Sequence, residues 1–175
     1  MGERRAVRAA AVLWCTAAVV VLVGCTPESE PTPLPLPTAT GFASDAEAFA
    51  AAEATYRAYV DADNARRMGD PASDPTRYLS GPLLKAELES ATEFADLGVR
   101  LEGNIEVESF IAKSASNTRL TATVCLDVSA TRVLNELDED VTPGTRKSLL
   151  GQDITMLWAP TGLTIDQSSA NEAAC

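Results

Sequence analysis

The chain has 175 residues, 46% of them hydrophobic and 22% charged, with 14 basic residues against 25 acidic ones, a formal net charge of −11 and no histidine. This surplus of carboxylates is repelled by phosphate backbones and anionic headgroups, which argues against nucleic acid and against a lipid surface bound through side chains. Without imidazole there is no Ser-His or Cys-His nucleophile pair and no His-ligated metal.

The first element follows the basic residues Arg4, Arg5 and Arg8: an apolar run from Ala9 to Val23 in which Thr16 is the one hydroxyl-bearing side chain. A bilayer-spanning helix needs roughly 20 apolar residues. This shorter run, behind a basic segment and ahead of a small residue, reads instead as an export signal. It closes on Leu22-Val23-Gly24-Cys25. Those four positions resemble the lipobox of bacterial lipoproteins, which implies cleavage between Gly24 and Cys25 and a diacylglycerol thioether on the Cys25 sulfur. Two acyl chains suffice for stable attachment where one is marginal. The expected location is the extracytoplasmic side of the cell membrane, with Cys25 as the membrane contact. Cleavage removes three arginines and one glutamate, so the mature charge becomes −13.

Residues 25–41 carry Pro27, Pro31, Pro33, Pro35 and Pro37 among Thr, Ser and Glu. Proline fixes φ and removes a donor, so this stretch favours extended polyproline II and reads as a tether reaching on the order of 50 Å. Residues 42–175 then suffice for one hydrophobic core, and a single domain is expected.

The first half of that domain reads as helical. Ser44-Asp45-Ala46-Glu47 is a capping-box pattern, and Phe49, Ala52, Tyr56, Tyr59 and Val60 recur at helical spacing toward a stop between Arg67 and Gly69. Asp74 before Pro75 caps a single turn holding Tyr78 and Leu79. Pro82 opens a second helix with Leu84, Leu88, Ala91, Phe94 and Ala95 as its buried stripe, Glu87, Glu89 and Glu93 on its exposed side, and Gly98 as a left-handed stop.

The second half switches to a period of two. Ile105, Val107, Ser109 and Ile111 alternate against Glu106, Glu108, Phe110 and Ala112; Leu120, Ala122, Val124, Leu126 and Val128 alternate against Thr121, Thr123, Cys125, Asp127 and Ser129. An acidic loop, Asn135 to Gly144, precedes a strand with Ile154, Met156 and Trp158 on one face. The turn Pro160-Thr161-Gly162 leads to a return strand bearing Leu163, Ile165 and Gln167. Helices first and strands last predict an α+β fold, its helices packed on a curved antiparallel sheet.

This element order resembles the nuclear-transport-factor-2-like fold, a cone of one long and two shorter helices over a bent sheet. Ser44 to Val60, Thr121 to Leu134 and Cys175 also resemble uncharacterised lipoproteins of high-GC Gram-positive bacteria. The sequence shows no short strand directly after the helical pair, which that fold often carries. The resemblance implies an open-mouthed apolar pocket, and enzymes of the fold commonly use an Asp with a His or Tyr at its mouth. Tyr56, Tyr59, Tyr78, Asp127, Asp153 and Asp166 are the comparable residues here. The tyrosines read as packing aromatics and Asp127 as a solvated sheet residue.

Asp138, Glu139 and Asp140 invite comparison with a calcium loop, but counting from Asp138 puts Gly144 seventh instead of sixth and Leu149 at the twelfth position, where a glutamate is needed. No metal or cofactor is expected. Four cysteines reduce to Cys125 and Cys175 once Cys15 leaves with the signal and Cys25 is alkylated, and export puts that pair where disulfides persist. The reading is a lipid-anchored, non-catalytic module that binds a small apolar ligand or an envelope protein. The alternatives are an Asp/Tyr isomerase, cyclase or dehydratase, and a structural module that forms homodimers.

Overall fold

The computed structural model describes residues 42–159 and 162–175. The signal segment, Gly24, Cys25 and the tether lie outside them. Among the described residues two α-helices pack on antiparallel sheets, an α+β fold in the expected order. Among the described residues no helix is long and apolar enough to cross a membrane.

Helix α1 (Asp45–Arg67) starts at Ser44, whose hydroxyl accepts the Glu47 N–H at 3.2 Å. The Glu47 carboxylate reaches one residue further than a reciprocal capping box and accepts the Ala43 N–H at 2.8 Å. Ala48, Ala52, Tyr56 and Val60, each four residues on, form one buried stripe. Asp74 caps the 3₁₀ turn Pro75–Tyr78 by accepting the Thr76 N–H at 3.0 Å, and Leu79 beyond it is buried. Helix α2 (Gly81–Asp96) stops at Gly98, whose φ of 63° is the left-handed conformation that ends helices.

Six strands follow: β1 (Val99–Glu102), β2 (Glu106–Ala115), β3 (Arg119–Asp127), β4 (Arg132–Asn135), β5 (Leu149–Ala159) and β6 (Gly162–Ala170). The larger sheet has the order β2-β3-β5-β6, and β1 pairs with β4 separately. Strand β1 is thus the short strand after the helical pair that the sequence did not reveal. Val99-Arg100-Leu101-Glu102 alternates over only four residues, too short a run to stand out by itself, and pairing with Arg132–Asn135 supplies the partner.

The inner face of the four-stranded sheet presents Leu120, Ala122, Val124, Ile154, Met156 and Ile165 to the α1 stripe, and these residues form the core. Strand β2 corrects its sequence reading. Register shifts between Val107 and Ser109 and between Ala112 and Ser114 each insert one residue, which flips the alternation beyond it. Val107, Phe110, Ala112 and Ala115 pair with the inward residues of β3, while Ile111 is 50% exposed. A similar shift opposite Thr155 and Met156 leaves Ile165 inward and Gln167 outward.

Helix α2 also departs from expectation, for none of its residues is buried. Leu83 and Leu84 pack half-buried against the core, but Leu88, Ala91 and Ala95 face out. The helix bears on edge strand β6 and on β1 instead of lying across the sheet, so its contact is narrow. Glu87, expected on the exposed side, is half-buried. Its carboxyl is held above the ordinary glutamate range first by burial and then by the charge of Asp63, against the lowering effect of Arg67 and Arg66.

Candidate functional site

The outer face of the larger sheet is built from residues that alternate against the core. Antiparallel register places Thr121 beside Thr155, Thr123 beside Asp153 and Cys125 beside Gly151, and extends the first two rungs to Gln167 and Ser169 on β6. Across these rungs runs an open cavity of 790 Å³, bounded by Lys113 on one side and by Pro82, Leu83 and Ala86 on another. Its polar centre is Asp153, which accepts the Thr123 hydroxyl at 2.6 Å and the Asn171 amide at 3.1 Å. Those two donors, Thr123 foremost, hold its carboxyl below the usual aspartate range.

Asn171 belongs to a segment that turns back over the sheet. Its N–H donates to the Gly151 carbonyl at 2.8 Å, its side chain accepts the Ala173 N–H at 3.0 Å, and Lys147 pairs with Glu172 at 2.7 Å. The crossing needs Gly151, because a Cβ there would strike the Asn171 carbonyl oxygen and approach the Ala174 methyl to 2.7 Å. The segment thereby delivers Cys175 to Cys125 at disulfide distance, with 5.3 Å between Cα atoms. Counting cysteines identified the pair; the glycine crossing had no signal in the sequence.

The remaining residues that resemblance singled out are dispersed. Tyr56 lies in the core, its hydroxyl 3.5 Å from the Gln152 amide oxygen, which also accepts from Ser168 at 3.0 Å. Burial raises both the Tyr56 and Tyr59 phenols above their ordinary value, with Glu87 adding to the effect at Tyr59. Tyr78 accepts from Arg77 at 2.9 Å. Asp127 accepts the Ser129 N–H at 2.7 Å, a backbone bond that lowers its carboxyl. Asp166 is buried at the β6 bulge beneath Gly81, 3.4 Å from the Ser80 hydroxyl.

In the acidic loop the three carboxylates of the calcium comparison each have a protein donor: Asp138 pairs with Arg100 at 2.6 Å, Glu139 accepts from Asn135 at 2.8 Å and Asp140 accepts the Thr142 N–H at 2.9 Å. Arg146 anchors the far side of the loop on the Thr131 hydroxyl and, at 2.6 Å, the Thr131 carbonyl. Among the described residues no cluster of three or more carboxylate or cysteine groups is arranged to hold a metal ion.

Fold and site together describe an α+β domain with a polar outer sheet face and a chain segment brought back across it. No protein-family model matches the chain, and no curated protein is similar to it. Its structure is similar to the solved intermembrane space region of the chloroplast protein ARC6, with a TM-score of 0.51 and 19% identity over 70% of this chain and 95% of that one. At that identity the likeness establishes the fold alone. A solved de novo β-sheet design aligns at 20% identity over 71% of this chain and 83% of its own, and its TM-score of 0.28 has no bearing on the fold.

Proposed function

We propose that this protein is a lipid-anchored lipoprotein of the extracytoplasmic cell envelope, processed at Gly24-Cys25 and held by acyl chains on Cys25, with residues 42–175 as a partner-binding domain of the nuclear-transport-factor-2-like type. The observation that carries this reading is the Cys125–Cys175 pair, held at disulfide distance across 50 residues of sequence by the Gly151 crossing. A disulfide there is durable in an oxidising compartment and not in a reducing one. Leu22-Val23-Gly24-Cys25 adds the anchor and the Pro-rich segment the stand-off distance.

A protein partner is favoured over a small apolar ligand. The inner face, where an apolar pocket would open, is filled by Tyr56, Phe110, Met156 and Ile165, whereas eight of the fourteen residues lining the open cavity on the outer face carry hydroxyl, amide or carboxylate groups. The test is membrane fractionation of the wild type beside Cys25→Ala. Retention of the wild type with the membrane and release or misprocessing of the variant is the expected result. Equal membrane retention of the two would refute the lipid anchor.

A further inference from the structure

Helix α2 carries a surface that neither the core nor the outer sheet face uses. Leu88 is 53% exposed and Leu97 65%, and with Thr92 they line an open groove of 570 Å³ along the outward side of the helix. Its rim is acidic: Glu89, Glu93 and Asp96 stand against the single cation Lys85, which lies 3.5 Å from Glu89. The acidic character continues past the helix. Glu136 lies against Gly98, so the loop bearing Asp138, Glu139, Asp140 and the 77% exposed Leu137 begins at the C-terminal end of α2.

Charge selects the occupant. A second copy of this chain would bring the same three carboxylates against themselves, and an anionic lipid surface would be repelled in the same way. A segment with leucine-sized side chains flanked by lysine or arginine matches both the apolar floor and the rim, and helical spacing sets those groups on one face. We propose that the outward face of α2 is a docking surface for a cationic amphipathic helix of a partner protein, with Leu88 and Leu97 receiving its apolar side chains and Glu89, Glu93 and Asp96 pairing with its basic ones. The proposal rests on the partner-binding reading and supplies that partner's chemistry.

The test titrates the purified full chain into a fluorescently labelled leucine/lysine amphipathic helix, with a charge-matched peptide in which serine replaces leucine as comparison. The expected result is saturable binding that weakens with salt and at least about tenfold in the Leu88→Gln/Leu97→Gln variant, while Ile111→Gln, an exposed position on the outer sheet face, leaves it unchanged. Glu89→Gln/Glu93→Gln/Asp96→Asn flattens the salt dependence. Hydrogen exchange then shows protection over α2, and circular dichroism shows that the variants keep their helix content. Equal binding of the serine peptide, unchanged affinity of the leucine variant, or protection of α2 by self-association or by anionic vesicles would overturn the proposal. Peptide binding does not require the acyl chains, so lost docking with an intact anchor refutes only the docking, and equal membrane retention of the wild type and Cys25→Ala, with docking intact, refutes only the anchor.

Discussion

Helices α1 and α2 differ in composition and have fates opposite to what it suggests. Helix α2 has three leucines and a phenylalanine in its 16 residues and buries none of them fully; α1 is richer in alanine and charge, yet buries Ala48, Ala52, Tyr56 and Val60. Apolar content therefore does not decide burial here. Helix α1 lies over the inner face of the sheet, and its stripe at four-residue spacing stays on that face. Helix α2 leans on a sheet edge with Leu83 and Leu84 half-buried, while its Leu88, Ala91 and Ala95 face solvent. The first helix contributes to the core, and the second leaves an apolar face open to solvent.

Breaking the Cys125–Cys175 pair touches neither helix and sets the scale for damage to the whole domain. Closing a loop of this length contributes about 4 kcal/mol in the chain-entropy model, less any strain. Cys175→Ser is expected to lower unfolding free energy by nearly that amount in urea titration, with an unchanged far-ultraviolet helix signal. Loss of helix signal would show that the segment carries more of the fold than its three-residue 3₁₀ turn implies. Tyr56→Ala is the sharpest probe of α1, because that side chain is 2% exposed and packs against Phe110 with ring centroids 5.9 Å apart. Its expected cost is about 3 kcal/mol by the same titration.

Much of this was legible in the sequence, for local reasons. The α1 stripe, the Asp74 cap, the Gly98 stop and the β3 alternation each depend on neighbours within a few residues. The Cys125 and Cys175 pairing followed from counting. What stayed hidden depends on distant partners: the β1 strand exists because Arg132–Asn135 pairs with it, and the β2 bulges that turn Ile111 out and Phe110 in are set by register against β3. The α2 stripe was misread because periodicity shows that a helix has an apolar face without showing how wide a surface meets it. Of the candidate site, the hydroxyl rungs were visible as alternation; their joining through Asp153 and Asn171 was not.

Glu87 tests the buried edge of α2. Its folded-state carboxyl titrates above the unfolded value, so the folded state holds the extra proton between the two values. Stability is full below the ordinary glutamate range, about pH 4, and is lost as pH rises through the raised value. Glu87→Gln should match the wild type at low pH and become the more stable of the two toward neutrality in thermal melts. A constant difference across pH would show that the Asp63 charge and burial do not act on Glu87. The smallest effect belongs to the outward face: Leu97→Ala should change stability by less than about 0.5 kcal/mol. A loss near that of Tyr56→Ala would erase the distinction between the helices.

The most direct test of the account is the intact mass of the membrane-extracted protein, measured after thiol alkylation in denaturant with and without prior reduction. The account predicts a chain beginning at Cys25 with acyl mass on that residue, no alkylation before reduction and two alkylations after it, on Cys125 and Cys175. A chain beginning at Met1, or two alkylations without reduction, would contradict it.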